Sequence, residues 1–151
     1  MLLDDTATIL AHADFFDICN EEQRRMLAFA SERRKFSAGQ PIMSGEGIPE
    51  GAHILVSGTV ASRPADGPPG AGYQTGVQGA VIGTMALMIA KPRPVVVSAV
   101  TDVETIFVSR NAFMKLVRQY PDLADRAATR IRRELGSYVG AIERIRGRIS
   151  R

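Results

Sequence analysis

The stretch whose residue types come nearest to a chemical task is 79–95, GAVIGTMALMIAKPRPV. Gly83 can adopt backbone angles closed to other residues, and the run Thr84 to Ala90, which opens with Met85 and Ala86, is rich in good helix formers. A helix starting there leaves its first N–H groups without intrahelical partners, and such groups favour anions. Ten residues beyond Gly83, Arg93 stands between Pro92 and Pro94. Its planar guanidinium fork suits phosphate or carboxylate oxygens better than a lysine would. An amide cradle plus an arginine is the chemistry of a phosphate site. The same stretch also suits a plainer role, with Val81, Ile82, Met85, Leu87 and Met88 as core and Arg93 as a surface charge in a proline-rich turn.

Other chemistries find less support. With one cysteine, Cys19, and two histidines, the chain can form neither an internal disulfide nor a Cys-rich zinc site. Cys19 and His12 have no partner of catalytic type near them in sequence. A metal centre needs several imidazole or carboxylate ligands converging, whereas His53 stands alone, without a second histidine one or two positions along. No GxSxG elbow, Walker loop or Cys/His pair of metal spacing occurs. The expectation is a protein that is not an enzyme and needs no metal or cofactor.

The elements that must position Gly83 and Arg93 are short. Between 34 and 109 the composition shifts to β-favouring runs punctuated by glycine and proline. These are Arg34 to Ser37, Gln40 to Ser44, His53 to Val56, Thr59 to Arg63, Gly72 to Val77, Ala80 to Ile82, Val95 to Val100 and Val103 to Ser109. Eight short strands predict a jelly-roll-like β-roll. Eleven of the fourteen glycines fall between Gly39 and Gly83, where tight corners need them, and PADGPPGAGYQTG (64–76) predicts an exposed hairpin tip. Ahead of the roll, residues 4–11 and 20–32 read as helices. The second opens on Asn20 as N-cap with Gln23 closing a capping box, and Met26, Leu27 and Ala30 form its apolar side. Phe15, Phe16 and Ile18 are the anchors that pin these helices to the roll. The chain thus divides into N-terminal helices (1–33), a roll carrying the ligand stretch (34–109) and C-terminal helices (110–151).

After a short amphipathic helix from Arg110 to Arg118, Pro121 opens a longer one. Ala124, Ala128, Ile131, Leu135, Tyr138, Ile142, Ile145 and Ile149 recur in steps of four and three, a seam of coiled-coil type. Ile131, Leu135, Tyr138, Ile142, Ile145 and Ile149 are therefore expected at a homodimer interface, the alternative being a helix laid back on its own roll. Gly136 and Gly140 mark close approach to a neighbour or ligand. The net charge of +3 is uneven: residues 118–151 carry nine arginines against four acids, whereas the first 117 carry ten Lys or Arg against twelve acids. That tail could touch nucleic acid without sequence preference, or be a solvated helix face. A chain without a signal-peptide start or a long uncharged apolar run is expected in the cytoplasm, off the membrane.

The order of these parts resembles the cyclic-nucleotide-binding domain of the catabolite activator (Crp/Fnr) family. The resemblance is carried by FSAGQP (36–41), EGIPEGAHILVSGTV (46–60), Gly83 to Leu87, Pro92 with Arg93, and Phe113 to Asp122, and it covers nearly the whole chain. It implies a roll that holds a cyclic nucleotide such as cAMP or cGMP, with the phosphate at the short helix and Arg93, and a long helix that pairs with its twin. The family cassette usually reads G-E-x-A-L and then P-R-S/T-A. Here Thr84 stands for the ribose-binding Glu, Pro94 for the phosphate-binding Ser or Thr, and Val95 for a small Ala. Losing a charged acceptor costs about 1.5 to 3 kcal/mol and a neutral donor about 1, so cyclic nucleotides should bind roughly a hundredfold more weakly, or give way to another small anion. Activators of this family continue into a helix-turn-helix, which does not precede Arg151. The expectation is a stand-alone sensor without sequence-specific DNA binding, acting through an unidentified protein partner, or else a dimeric adaptor with a vestigial pocket.

Overall fold

The β-favouring runs form two four-stranded antiparallel sheets, in the orders β1-β8-β3-β6 and β2-β7-β4-β5. The strands are β1 (Glu32–Phe36), β2 (Pro41–Met43), β3 (Gly51–Ser57), β4 (Val60–Pro64), β5 (Tyr73–Thr75), β6 (Val81–Ile82), β7 (Val95–Ala99) and β8 (Val103–Ser109). The helices are α1 (Leu2–His12), α2 (Glu21–Ala30), α3 (Arg110–Gln119) and α4, described over 121–133. Short 3-10 turns cover Phe16–Ile18 and Thr84–Leu87. This computed structural model describes residues 2–68 and 70–133, without the side chains of 2–4. The expected fold, mainly β with flanking helices and an eight-stranded roll, is the fold observed. Residues 65–72 of the expected hairpin tip join β4 to β5, while Pro64 and Tyr73–Thr75, also within the stretch 64–76, belong to the strands themselves.

Strand alternation splits the core in two. Ala52, Ile54, Ile106 and Val108 face the helices, where they bury Leu10, Phe15, Phe16, Leu27, Phe113 and Leu116. Leu55 and Val103, of the opposite parity, face the second sheet and meet Val60, Val97 and Ala99 inside the roll. His53 pairs across the sheet with Phe107 and shares this inner parity. The phenylalanine anchors are buried as expected. Phe15 is held at φ 77°, an unusual conformation for a bulky residue, while its ring packs 5.5 Å from Phe16 and 5.7 Å from Phe113. Packing of the aromatic cluster offsets that backbone cost.

The capping box forms as read: Gln23 N–H donates to Asn20 Oδ1 at 2.8 Å, and Asn20 N–H to Gln23 Oε1 at 2.9 Å. Two details of α2 differ from expectation. The helix ends at Ala30 instead of residue 32, because Ser31 caps it with a 2.7 Å bond from Oγ to the Ala28 carbonyl and Glu32 is recruited opposite Phe107 in the β1–β8 ladder. Its buried side is Gln23, Leu27 and Ala28, leaving Ala30, Met26 and Phe29 exposed, Phe29 at 82%. Gln23 can be buried because the cap already satisfies its amide oxygen.

α4 begins at Pro121 as the sequence requires, but its first turns serve the chain itself. Leu123, Ala127 and Ile131 are buried in the same core as Leu10 and Phe16. Arg126 Nε donates to the Ile18 carbonyl at 2.9 Å, and Arg130 reaches Asp14 at 3.2 Å and Asp17 at 2.5 Å. Ile131, expected at a dimer interface, is thus packed within its own chain, because the buried stripe runs one residue ahead of Ala124 and Ala128. Leu135, Tyr138, Ile142, Ile145 and Ile149 lie outside the described residues, as do Gly136 and Gly140.

Candidate ligand site in the roll

At one end of the roll the apolar inner face gives way to a cavity of about 200 Å³. Arg34 from β1, His53 from β3 and Phe107 from β8 form one wall; Met43 and the following loop, with Glu46 and Glu50, form another; Arg93 enters from the segment before β7. Arg34 sits over Phe107, its guanidinium carbon 3.7 Å from the ring centroid, and its fork donates to Glu32 Oε2 at 2.8 and 3.1 Å. Stacking and ion pair together set the orientation of that cation.

His53 is 4% exposed and its ring stands against Phe107 and Phe36, at centroid distances of 5.0 and 5.9 Å. Its Nδ1 lies 3.0 Å from Thr105 Oγ1. Burial, and to a lesser degree the positive charge of Arg34, lower its pKa from 6.5 to about 4, so the ring is neutral at physiological pH. Sequence alone reads His53 as a solitary residue without metal partners, and no group of three His, Cys, Asp or Glu able to hold a metal occurs among the described residues.

Of the seven residues expected at the ligand, Arg93 alone lines this cavity. It is half-buried, and it makes no side-chain hydrogen bond or ion pair among the described residues. Its place is set by backbone: Val95 N–H donates to the Arg93 carbonyl at 2.8 Å, and Ala65 N–H to the Pro94 carbonyl at 2.8 Å. Pro94 is otherwise exposed and Val95 packs against the roll core. Gly83 adopts φ 81°, ψ 35°, the left-handed conformation its lack of Cβ permits. It abuts the cavity from behind, since a Cβ there would lie 3.5 Å from the Gly51 carbonyl oxygen and 3.6 Å from Met43 Sδ. The helical run expected to reach Ala90 is a single 3-10 turn, Thr84–Leu87, because the Ala86 amide bonds back to the Gly83 carbonyl at 2.9 Å and Met88 already leaves helical geometry. Thr84 is half-buried, Met85 packs on the helical core and Ala86 is buried. The Ala86 carbonyl accepts from Arg110 Nη1 at 3.1 Å, and the same nitrogen donates to the Pro49 carbonyl at 2.9 Å. Arg110 therefore ties the short turn to the cavity loop.

Besides loop residues such as Glu46 and Glu50, sequence reading missed the cavity residues of the sheet, Arg34, His53 and Phe107. Their signal was present as polar letters, His53 and Thr105, at inner positions of otherwise apolar strands. Cys19, by contrast, is what its context suggested: it is buried, and that burial pushes its thiol up to about 11, out of nucleophilic range at neutral pH.

The sequence model of the cyclic nucleotide-binding domain matches residues 33–120, more than half of the chain. No curated protein matches it. Among solved structures, a cyclic nucleotide-binding-like protein from Brucella abortus is 31% identical, with a TM-score of 0.65, over 76% of this chain and 99% of that one. The catabolite activator protein of Thermus thermophilus is 22% identical, with a TM-score of 0.65, over 89% of this chain and 62% of that one. The regulatory domain of Toxoplasma gondii PKA, solved with cAMP, is 21% identical, with a TM-score of 0.66, over 85% of this chain and 50% of that one. At these identities the last two report a shared fold, and the chain spans only about half to three-fifths of their length. No helix among the described residues is long and apolar enough to cross a membrane.

Proposed function

The chain belongs to the cyclic nucleotide-binding domain family, and on that premise we propose that it is a regulatory ligand-sensing module, not an enzyme, whose roll cavity grips a small anion through Arg93 and takes cyclic nucleotides only weakly. The observation that carries this reading is Arg93 itself: a half-buried guanidinium lining a cavity, with no carboxylate partner among the described residues. A cation so placed is left for a ligand to pair. Weak nucleotide binding rests on Thr84 and Pro94, which supply neither a carboxylate for a ribose hydroxyl nor a side-chain donor for a phosphate.

Calorimetric titration with cAMP and cGMP tests it. The expected dissociation constants are about tens of micromolar or weaker, with a further loss in Arg93→Ala. Submicromolar cAMP binding would overturn the weak-affinity part. A second reading, a homodimeric adaptor with a vestigial pocket, is favoured by the fact that six of the seven expected ligand residues do not line the cavity. In that reading Leu135, Tyr138, Ile142, Ile145 and Ile149 supply the dimer contact. It predicts no response to any anion and an Arg93→Ala protein indistinguishable from wild type. Light scattering should report a dimer that Ile142→Glu with Ile145→Glu dissociates.

A further inference from the structure

The sheet wall of the cavity carries a polar group that the reading above leaves without a task. Thr105 is fully buried, and its hydroxyl has one hydrogen-bond partner among the described residues, His53 Nδ1 at 3.0 Å. A buried hydroxyl proton without an acceptor is costly, so Thr105 donates and Nδ1 accepts. The neutral ring then carries its proton on Nε2. Nε2 has no partner among the described residues, yet the one fully buried side-chain nitrogen or oxygen left unbonded there is Arg33 Nε. Nε2 therefore keeps contact with open space, and the open space that His53 lines is the roll cavity. Arg34 lines the same cavity, already oriented by Phe107 and Glu32.

We propose that His53 Nε2–H and Arg34 form a second oxyanion-binding arm in the cavity that Arg93 also lines, and that the ligand is a compact dianion, such as a short dicarboxylate, instead of a nucleotide. This rests on the reading of Arg93 as an anion-gripping residue. Two cationic arms in one cavity, one on the sheet wall and one from the segment before β7, select for a molecule with two anionic groups. The cavity volume of about 200 Å³ supports a compact ligand, since drug-sized ligands occupy roughly 300 to 1,000 Å³. Glu46 and Glu50 also line it, but both are solvent-exposed, where their repulsion is screened.

Calorimetry on the full chain with succinate and with butyrate, a monoanion of the same carbon count, tests the proposal. Succinate is expected to bind about tenfold or more tightly than butyrate, the worth of one charge-assisted contact. His53→Leu and Arg34→Met should each abolish that preference, and His53→Gln, which restores an N–H donor, should recover part of it. Circular dichroism melting checks that each variant is folded. Equal affinity for the two probes, with both still weakened by Arg93→Ala, would overturn the second arm and leave the Arg93 reading standing. Tighter binding of glycine or γ-aminobutyrate than of succinate would also overturn it, assigning Glu46 and Glu50 to an ammonium group. Absence of binding by any of these probes would overturn the second arm, and the Arg93 reading then stands or falls with the cAMP and cGMP titration.

Discussion

The two faces of the sheet β1-β8-β3-β6 are built from the same few residues in alternation, and they have opposite characters. Ala52, Ile54, Ile106 and Val108 seal the centre of one face against the helices, and its polar side chains, Arg33 with Thr6 and Glu104, lie towards the β1 edge. On the other, Arg34, His53, Thr105 and Phe107 break the apolar surface near one end and open it into the cavity. A face that must meet a ligand keeps polar groups, each paired with a neighbour so that its burial costs little.

The sharpest way to break this contrast is to damage the sealed face. Ile106→Ala should lower unfolding stability by about 2 to 5 kcal/mol in urea titration, because the fully buried side chain leaves a void that its close-packed neighbours cannot fill. A loss under about 1 kcal/mol would mean that this face is loosely packed and that the two faces do not differ as described.

Acid should attack the cavity face. His53 has a folded pKa of about 4 against an ordinary 6.5, so between those values the unfolded chain binds a proton that the native state refuses. Its contribution is present in full above pH 6.5 and is lost as pH falls towards 4, by on the order of 3 kcal/mol. The stability of wild type relative to His53→Leu should fall as pH falls through that window; parallel profiles would show that folding does not shift the His53 pKa. A smaller loss, about 1 to 2 kcal/mol, is expected for Thr105→Val, which leaves Nδ1 buried without its donor. If Thr105→Val is neutral, water already satisfies the imidazole. Arg93→Ala should be the mildest, within about 0.5 kcal/mol of wild type in thermal melting without ligand, since this arginine has no ion pair to lose among the described residues. A large destabilisation would make Arg93 a structural residue and remove it from the ligand account.

What sequence determined by itself about this protein is what short-range rules govern. Eight strands of period two, the Asn20–Gln23 capping box, the glycine-rich corners and the turn residues at Gly83 and Pro121 all depend on neighbours within a few positions. Each is found close to where it was read, and Arg93 was identifiable as a cation that proline neighbours hold in a turn. Tertiary structure alone decided the rest. Glu32 left α2 because a strand 75 residues on offered it a ladder position opposite Phe107. Ile131 turned inward because Ile18, Asp14 and Asp17 hold α4 by Arg126 and Arg130. The cavity wall joins residues 34, 53 and 107, which no local pattern relates. They meet only because the β1–β8 and β3–β8 registers set Arg34 opposite Thr105 and His53 opposite Phe107, so pairing between distant strands determines which polar side chains share one face.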